Sequence, residues 1–95
     1  MKKFVFLAHG DMEQTPEFRL AHIAWWSSIQ DHVVDSGNPL FNGRNVTKDG
    51  VVAKLGADQP PALGYSIVEA ASLDDAVALL AECPMDMWVY EAMPM

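Results

Sequence analysis

Hydrophobic and polar positions fall into blocks along the chain, and the clearest block lies at residues 63–84. Residues 65–70 are rich in apolar side chains and predict a strand. Ser72 then offers a helix N-cap, followed by two aspartates in the first turn, where carboxylates favour the positive end of the helix dipole. Pro84 is predicted to end the helix, because the residue before a proline is disfavoured in helical backbone. The side of this helix that faces the sheet carries Leu73, Val77 and Leu80.

The first half of the chain predicts another strand followed by a helix. Residues 2–8 form the strand, and because residues 4–8 are apolar at every position, we expect it to be covered on both faces. Thr15-Pro16 is typical of a helix start. The helix is predicted to run to Asp35 or Ser36, with Gly37 as its C-terminal cap. One apolar stripe follows it, made of Phe18, His22, Trp25, Ile29 and Val33.

The other predicted strands lie in the middle and at the end of the chain. Residues 40–49 predict a strand, which Asn42-Gly43 interrupts with a bulge or bend. Asp49-Gly50 is typical of a hairpin turn, with residues 51–53 continuing as a short ribbon. Residues 56–61 predict a loop. Residues 87–93 alternate between two faces and predict the last strand.

The predicted order is β-α-β-β-α-β, which is α+β and typical of a ferredoxin-like fold. In this arrangement two helices cover one face of a four-stranded antiparallel sheet. The other face then stays bare, although its strands carry apolar side chains on both sides. A large exposed apolar face on a monomer usually marks an interface. We therefore expect two sheets to pack face to face in a symmetric homodimer.

Length, charge and cysteine content narrow the class of protein. The chain has 95 residues, and we expect residues 1–95 to form a single domain. No apolar run approaches the roughly 20 residues that span a bilayer. Cys83 is the single cysteine, so no intrachain disulfide argues for secretion and the cytoplasm is the expected location. The net charge is −7 and the six basic residues are scattered, so we expect neither nucleic acid nor a membrane surface as partner.

His22 is the first candidate for chemistry. Between Phe18 and Trp25 on the helical stripe, its ring is expected to be partly desolvated, which would lower its pKa and keep it neutral near pH 7. A neutral imidazole can act as a general base. The alternative is a structural histidine at the edge of the core, bonded to a backbone carbonyl or a partner side chain.

Three other groups carry weaker predictions. His9 and Asp11 follow the first strand, where a carboxylate could orient an imidazole; the alternative is an ordinary polar loop. No metal site is predicted, because two ligands without a third are a poor signature. His32 is expected at the surface near the end of the first helix. Cys83 is expected to be a buried, inert thiol, unless it faces His22 as a Cys–His pair.

Several aromatic side chains predict either an apolar pocket for a flat ligand or ordinary core and dimer contacts. Trp25 and Trp26 are adjacent and about 100° apart on the helix, so one of them should face a cleft or a partner chain. Arg19 lies one turn before His22 and is taken as a further candidate for this pocket. The aromatic candidates are Trp25, Trp26, Tyr65, Trp88 and Tyr90.

Short motifs along nearly the whole chain resemble a known family. They are Arg19-x-x-His22, Asn38-Pro39-Leu40, residues 63–69, residues 72–76 and Cys83-Pro84. Together they are similar to the YCII-related family, which includes the DGPF-domain proteins and belongs to the dimeric α+β barrel superfamily. The match is more specific in the second half of the chain than in the first.

The resemblance implies a dimer of ferredoxin-like units with a cleft between sheet and helices. In the YciI-like branch, a histidine on the first helix and the aspartate of an Asp-Pro pair are proposed as an active-site pair. His22 matches the histidine, whereas Cys83-Pro84 stands where the family has Asp-Pro. The Asp-Gly-Pro-Phe motif of the other branch is replaced by residues 55–62.

Three functions remain open at this stage. One is a small enzyme that uses His22 as general acid/base on a small organic molecule, without a cofactor, because no phosphate-binding glycine loop or full metal set is present. The second is a non-catalytic small-molecule binding or sensor module. The third is an accessory or structural subunit. The missing aspartate favours binding over catalysis.

Overall fold

The computed structural model describes residues 1–11, 15–55 and 62–95, which form an α+β fold with a four-stranded antiparallel sheet, a two-stranded sheet and two helices. In chain order the elements are β1 (Lys2–His9), α1 (Pro16–Ser28), a 3₁₀ helix (Gln30–His32), β2 (Val33–Asp35), β3 (Arg44–Val46), β4 (Val52–Lys54), β5 (Ala62–Ala70), α2 (Leu73–Ala78) and β6 (Asp86–Glu91). No helix in this described part is long and apolar enough to cross a membrane.

The larger sheet has the strand order β2-β5-β1-β6, with the two longest strands at its centre. β1 and β5 run antiparallel, and their register pairs Phe4 with Val68 and Phe6 with Ser66. Residues directly opposite each other in a sheet point to the same side, and successive residues point to opposite sides. The even-numbered positions of β1 and β5 therefore share one face.

Both helices pack on that face and form the core with it. Phe4, Phe6 and Val68 are fully buried, and they cluster with Trp25 of α1, Ile29 directly after α1 and Ala76 of α2. Burying a side chain of this size contributes roughly 1.5–3 kcal/mol. The predicted α+β class, with two helices and a four-stranded antiparallel sheet, is confirmed.

The opposite face of the sheet carries apolar side chains that lie outside the core cluster. Val5, Leu7, Ile67 and Trp88 are half-buried there, and Tyr90 is 59% exposed. Within the described part of a single chain, β1 is therefore covered on one face, and its coverage on both faces stays a prediction. Residues 4–8 of β1 are all apolar because those on one face pack on the helices, while those on the other face form an apolar surface that the described part of the chain leaves uncovered.

α1 is shorter than the sequence predicts. It ends at Ser28, and the chain tightens into the 3₁₀ helix through bonds such as His32 N–H to the Ile29 carbonyl, 2.9 Å. Val33 then pairs with Val68 as part of β2. Val33 fits the helical stripe, but adjacent β-branched residues favour a strand wherever an edge is available to pair with.

Gly37 is left-handed, with φ +71°, but it does not cap a helix. It follows β2, where its N–H donates to the Asp35 carboxylate at 2.8 Å. A side chain at this position would overlap the backbone carbonyl of Tyr65. The glycine is thus required by a turn and by a close approach to β5, and the predicted role as helix cap is wrong.

The central region forms a separate hairpin instead of one long strand. Only Arg44–Val46 of the predicted 40–49 strand is regular, and it pairs with Val52–Lys54 in the two-stranded sheet. The predicted turn at Asp49-Gly50 is confirmed: Gly50 has φ +87°, and its N–H donates to the Thr47 carbonyl at 3.0 Å. The predicted loop at 56–61 lies outside the described residues.

The second strand–helix unit follows the prediction at its N-cap. Ser72 caps α2, with its Oγ accepting from the Asp75 N–H at 3.1 Å. The predicted sheet-facing side of the helix is wrong, because Leu73 and Val77 are exposed and Ala76 is the buried residue. α2 is short, however, and gives way to turns such as Cys83 N–H to the Leu80 carbonyl, 3.0 Å. The helix thus ends well before Pro84. β6 keeps the predicted alternation but begins at Asp86 and ends at Glu91.

Candidate ligand-binding site

A cavity of about 270 Å³ lies between α1 and the helix-facing side of the sheet. The sheet supplies its floor through Phe6, Ala8, Gly64, Ser66 and Met87. α1 supplies one wall through His22, Trp25 and Trp26. Residues 36–39, after β2, line another side. The cavity therefore uses every layer of the fold, and it contains the histidine that the sequence singled out.

His22 is placed in the wall by helical spacing, three residues before the buried Trp25. The imidazole is half-buried, and its ring centroid lies 6.0 Å from those of Phe18 and Trp25. The ring forms no hydrogen bond with another residue of the described ranges. Among the described residues, neither nitrogen thus has the carbonyl or side-chain partner that the structural alternative requires.

The two adjacent tryptophans have different environments, as their helical angle predicts. Trp25 is 2% exposed, and its Nε1–H donates to the Leu79 carbonyl at 2.8 Å. Trp26 is half-buried beside it, with ring centroids 5.7 Å apart. Trp25 belongs to the core, and Trp26 packs at its edge while also lining the cavity.

Tyr65 lines the cavity, although its register with Leu7 places its side chain on the far side of the sheet. Its backbone is therefore the part that meets the cavity. Tyr65 N–H donates to the Asn38 carbonyl at 3.2 Å, and the Asn38 side-chain amide donates to the Tyr65 hydroxyl at 3.4 Å. These bonds hold residues 36–39 against β5 and fix that side of the cavity.

The other sequence candidates lie outside the cavity. Arg19 is exposed and is not a lining residue. His9 stacks on Trp88 with ring centroids 4.0 Å apart, on the uncovered face of the sheet, and Asp11 is exposed. The structure therefore separates His9 and Asp11 from His22. Within the described ranges, no three His, Cys, Asp or Glu side chains are grouped to hold a metal.

His32 and Cys83 are both half-buried and neither lines the cavity. His32 Nδ1 lies 3.2 Å from the Glu69 carbonyl oxygen, so it packs against β5 and is not the surface residue that was predicted. Burial raises the pKa of the Cys83 thiol, and its Sγ donates to the Met85 carbonyl at 3.5 Å. The thiol thus stays protonated at neutral pH, and a Cys83–His22 pair in the cavity is not formed.

Sequence reasoning did not find Ser66. It is the buried polar residue of the described core, at 6% exposure. The signal was present, because Ser66 lies two residues before Val68 on the strand and therefore points to the same, helix-facing side. It was hidden because a serine in an apolar strand has no chemistry of its own to point to.

The chemical character of the lining is apolar with a few neutral polar groups. Among the described lining residues there is no Asp, Glu, Lys or Arg.

No family model, curated protein or solved structure matches this chain. The similarity to the YCII-related family therefore stays a prediction, and the cavity has to be interpreted from its own residues.

Proposed function

We propose that this protein binds a small, uncharged organic molecule in the cavity between α1 and the sheet. The observation that carries this proposal is the cavity itself, about 270 Å³ and lined by aromatic and aliphatic side chains. Ligand pockets are typically concave, mostly apolar and equipped with a few polar groups, and drug-sized ones begin near 300 Å³. The ligand is therefore expected to be small, of about one ring.

The absence of charged side chains from the described lining supports an uncharged ligand. A buried ionised group without a partner is costly, because it loses its hydration and gains nothing in return. His22 supplies a polar contact on the α1 side, since both nitrogens of an imidazole can take part in hydrogen bonds.

A cofactor-independent enzyme that uses His22 as general acid/base is the second candidate. It is favoured by one observation: the half-buried ring lines the cavity and is not bonded to the surrounding described residues. A general base has to reach the substrate proton directly. Binding without chemistry remains preferred, because the described lining residues include no carboxylate that could orient the imidazole.

We further infer a ferredoxin-like arrangement for the main sheet. If the β3–β4 hairpin is treated as an insertion, the remaining elements run β-α-β-β-α-β, and the order β2-β5-β1-β6 supports this topology. The resemblance of the sequence motifs to the dimeric α+β barrel superfamily implies the same topology.

We also propose that a second copy of the chain covers the free face of the sheet. Cross-strand pairing places Val5 between Ile67 and Tyr90, and Leu7 between Tyr65 and Trp88. These positions form one apolar strip across three strands, which a two-fold axis can match to itself. A different protein on this face is the alternative, as expected for an accessory subunit, and the mass in solution distinguishes the two.

The binding proposal is tested with a panel of uncharged one-ring aromatic compounds. Binding is followed by ¹H–¹⁵N NMR of the tryptophan indole groups, because Trp25 and Trp26 line the cavity. We expect shifts at both indoles for at least one compound, and a weaker affinity in His22→Gln. His9→Gln is the matched control, since the same change lies on the opposite face of the sheet. Shifts confined to other residues would contradict the proposal.

A second substitution of His22 separates binding from catalysis once a bound compound is known. If turnover is lost in His22→Asn while affinity is kept, the histidine acts in chemistry. If the wild type binds the compound over hours and no product is formed, the protein is a binding module.

A further inference from the structure

Ser66 is a polar side chain in the most apolar part of the molecule. It lies opposite Phe6 in the β1–β5 register, next to Val68 on the same strand face, and it is 6% exposed. Its neighbours Phe6 and Val68 are fully buried in the core. A serine in such surroundings loses its hydration, so its hydroxyl needs a hydrogen-bond partner.

No described residue supplies that partner. Every fully enclosed side-chain nitrogen or oxygen in the described ranges has a hydrogen bond, so an unpaired hydroxyl there cannot be fully enclosed. Ser66 forms no side-chain bond with these residues, yet it is one of the lining residues of the cavity. The cavity is therefore the space that its Oγ faces.

The other polar groups of the cavity lie at different depths. Ser36 and Asn38 are exposed and mark the rim, and His22 is half-buried in the α1 wall. Ser66 is the buried polar group of the floor, with the apolar side chains of Phe6 and Met87 beside it. A molecule that enters from the rim would thus meet its deepest polar contact at Ser66.

We propose that Ser66 is the recognition group for the leading end of the ligand. Resting on the proposed function, this assigns the ligand class: a single-ring aromatic compound that carries an uncharged hydrogen-bonding substituent, such as a hydroxyl or carbonyl. The ring lies among the aromatic side chains of α1 and Phe6, and the substituent bonds to Ser66 Oγ. Serine suits either substituent, because its hydroxyl both donates and accepts.

The test compares two probes of the same shape, p-cresol and toluene, on the wild type and on Ser66→Ala. p-Cresol can form the hydrogen bond and toluene cannot. We expect Ser66→Ala to weaken the affinity for p-cresol by about twofold to tenfold, which is the usual net effect of one hydrogen bond. The affinity for toluene is expected to stay unchanged or to increase slightly. Ser27→Ala, on the exposed side of α1, is the matched control and is expected to change neither affinity.

The outcomes separate this inference from the binding proposal. Equal affinities of p-cresol for the wild type and Ser66→Ala would overturn the role of Ser66 while leaving the cavity as a binding site. An equal loss for both probes would mean that the substitution altered the cavity shape, which also overturns the inference. If neither probe shifts the indole signals of the wild type, the ligand class and the proposed site both fail.

Discussion

At the scale of single residues, Trp25 links the core, the cavity and the two helices. Its ring is buried among the core residues and also lines the cavity. Its indole N–H donates to the carbonyl of Leu79, the C-cap residue that directly follows α2. The last carbonyls of a helix have no partner within the helix, so this bond satisfies one of them. One side chain of α1 thereby ties α2 to the cavity wall.

Replacing Trp25 by Phe is expected to destabilise the protein more than replacing Trp26 by Phe. Both changes remove the same atoms, but only the first removes a hydrogen bond and leaves the Leu79 carbonyl unpaired. The expected difference in the free energy of unfolding is about 1–3 kcal/mol, measured by urea denaturation. Equal losses would show that the indole bond contributes nothing beyond packing.

From the sequence, the burial of residues on α1 could be predicted, but their specific hydrogen-bond partners could not. The helical stripe placed Trp25 and Ile29 on the buried side because periodicity is a local property of the chain. The partner of the Trp25 indole is 54 residues away and depends on how α1 and α2 pack together. The same holds for Ser66, whose role is set by the cavity above it.

At the scale of elements, β2 and the segment that follows it position one side of the cavity. The backbone bond from Tyr65 N–H to the Asn38 carbonyl and the bridge between Pro39 and Gly64 hold this segment on β5. Gly37 lets the chain come this close, because no side chain separates it from the Tyr65 backbone. The position of the cavity rim therefore depends on one glycine.

Gly37→Ala and Gly50→Ala form a matched pair for this role. Both glycines have positive φ, at +71° and +87°, so alanine is strained at either position by roughly 1–2 kcal/mol. At Gly50 nothing lies within 4 Å of an added methyl group, whereas at Gly37 the methyl overlaps the Tyr65 carbonyl. We expect Gly37→Ala to lower the free energy of unfolding clearly further, and to weaken probe binding. Equal effects in denaturation would contradict a close-approach role.

Short-range signals predicted the starts of both helices and one turn, whereas long-range pairing decided where other elements lie. The Thr15 and Ser72 caps and the Asp49-Gly50 turn act within a few residues, and the structure confirms all three. The helical stripe predicts a helix through residues 33–35, because Val33 fits its spacing. Its pairing with β5, far along the chain, overrides that local preference.

At the scale of the whole molecule, the two faces of the main sheet differ in what covers them. Helices bury the face of Phe4 and Phe6, while the strip on the other face keeps its aromatic and aliphatic side chains only half-buried or exposed. The molecule is also flat, with extents of 42 × 39 × 19 Å. A flat molecule with one apolar side offers a broad, low-relief surface, which suits face-to-face packing with a copy of itself.

The homodimer is tested by placing a charge on this face and, separately, on the helical side. Tyr90 and Ile23 are matched in exposure, at 59% and 61%, but Tyr90 lies in the sheet strip and Ile23 on α1. A lysine at Tyr90 would be buried without a partner in each half of the proposed interface, which is strongly unfavourable. By sedimentation, we expect a dimer for the wild type and for Ile23→Lys, and a Kd at least about tenfold weaker for Tyr90→Lys. A monomeric wild type at high concentration would exclude the homodimer. If Tyr90→Lys stays dimeric and Ile23→Lys becomes monomeric, the interface lies on the helical side.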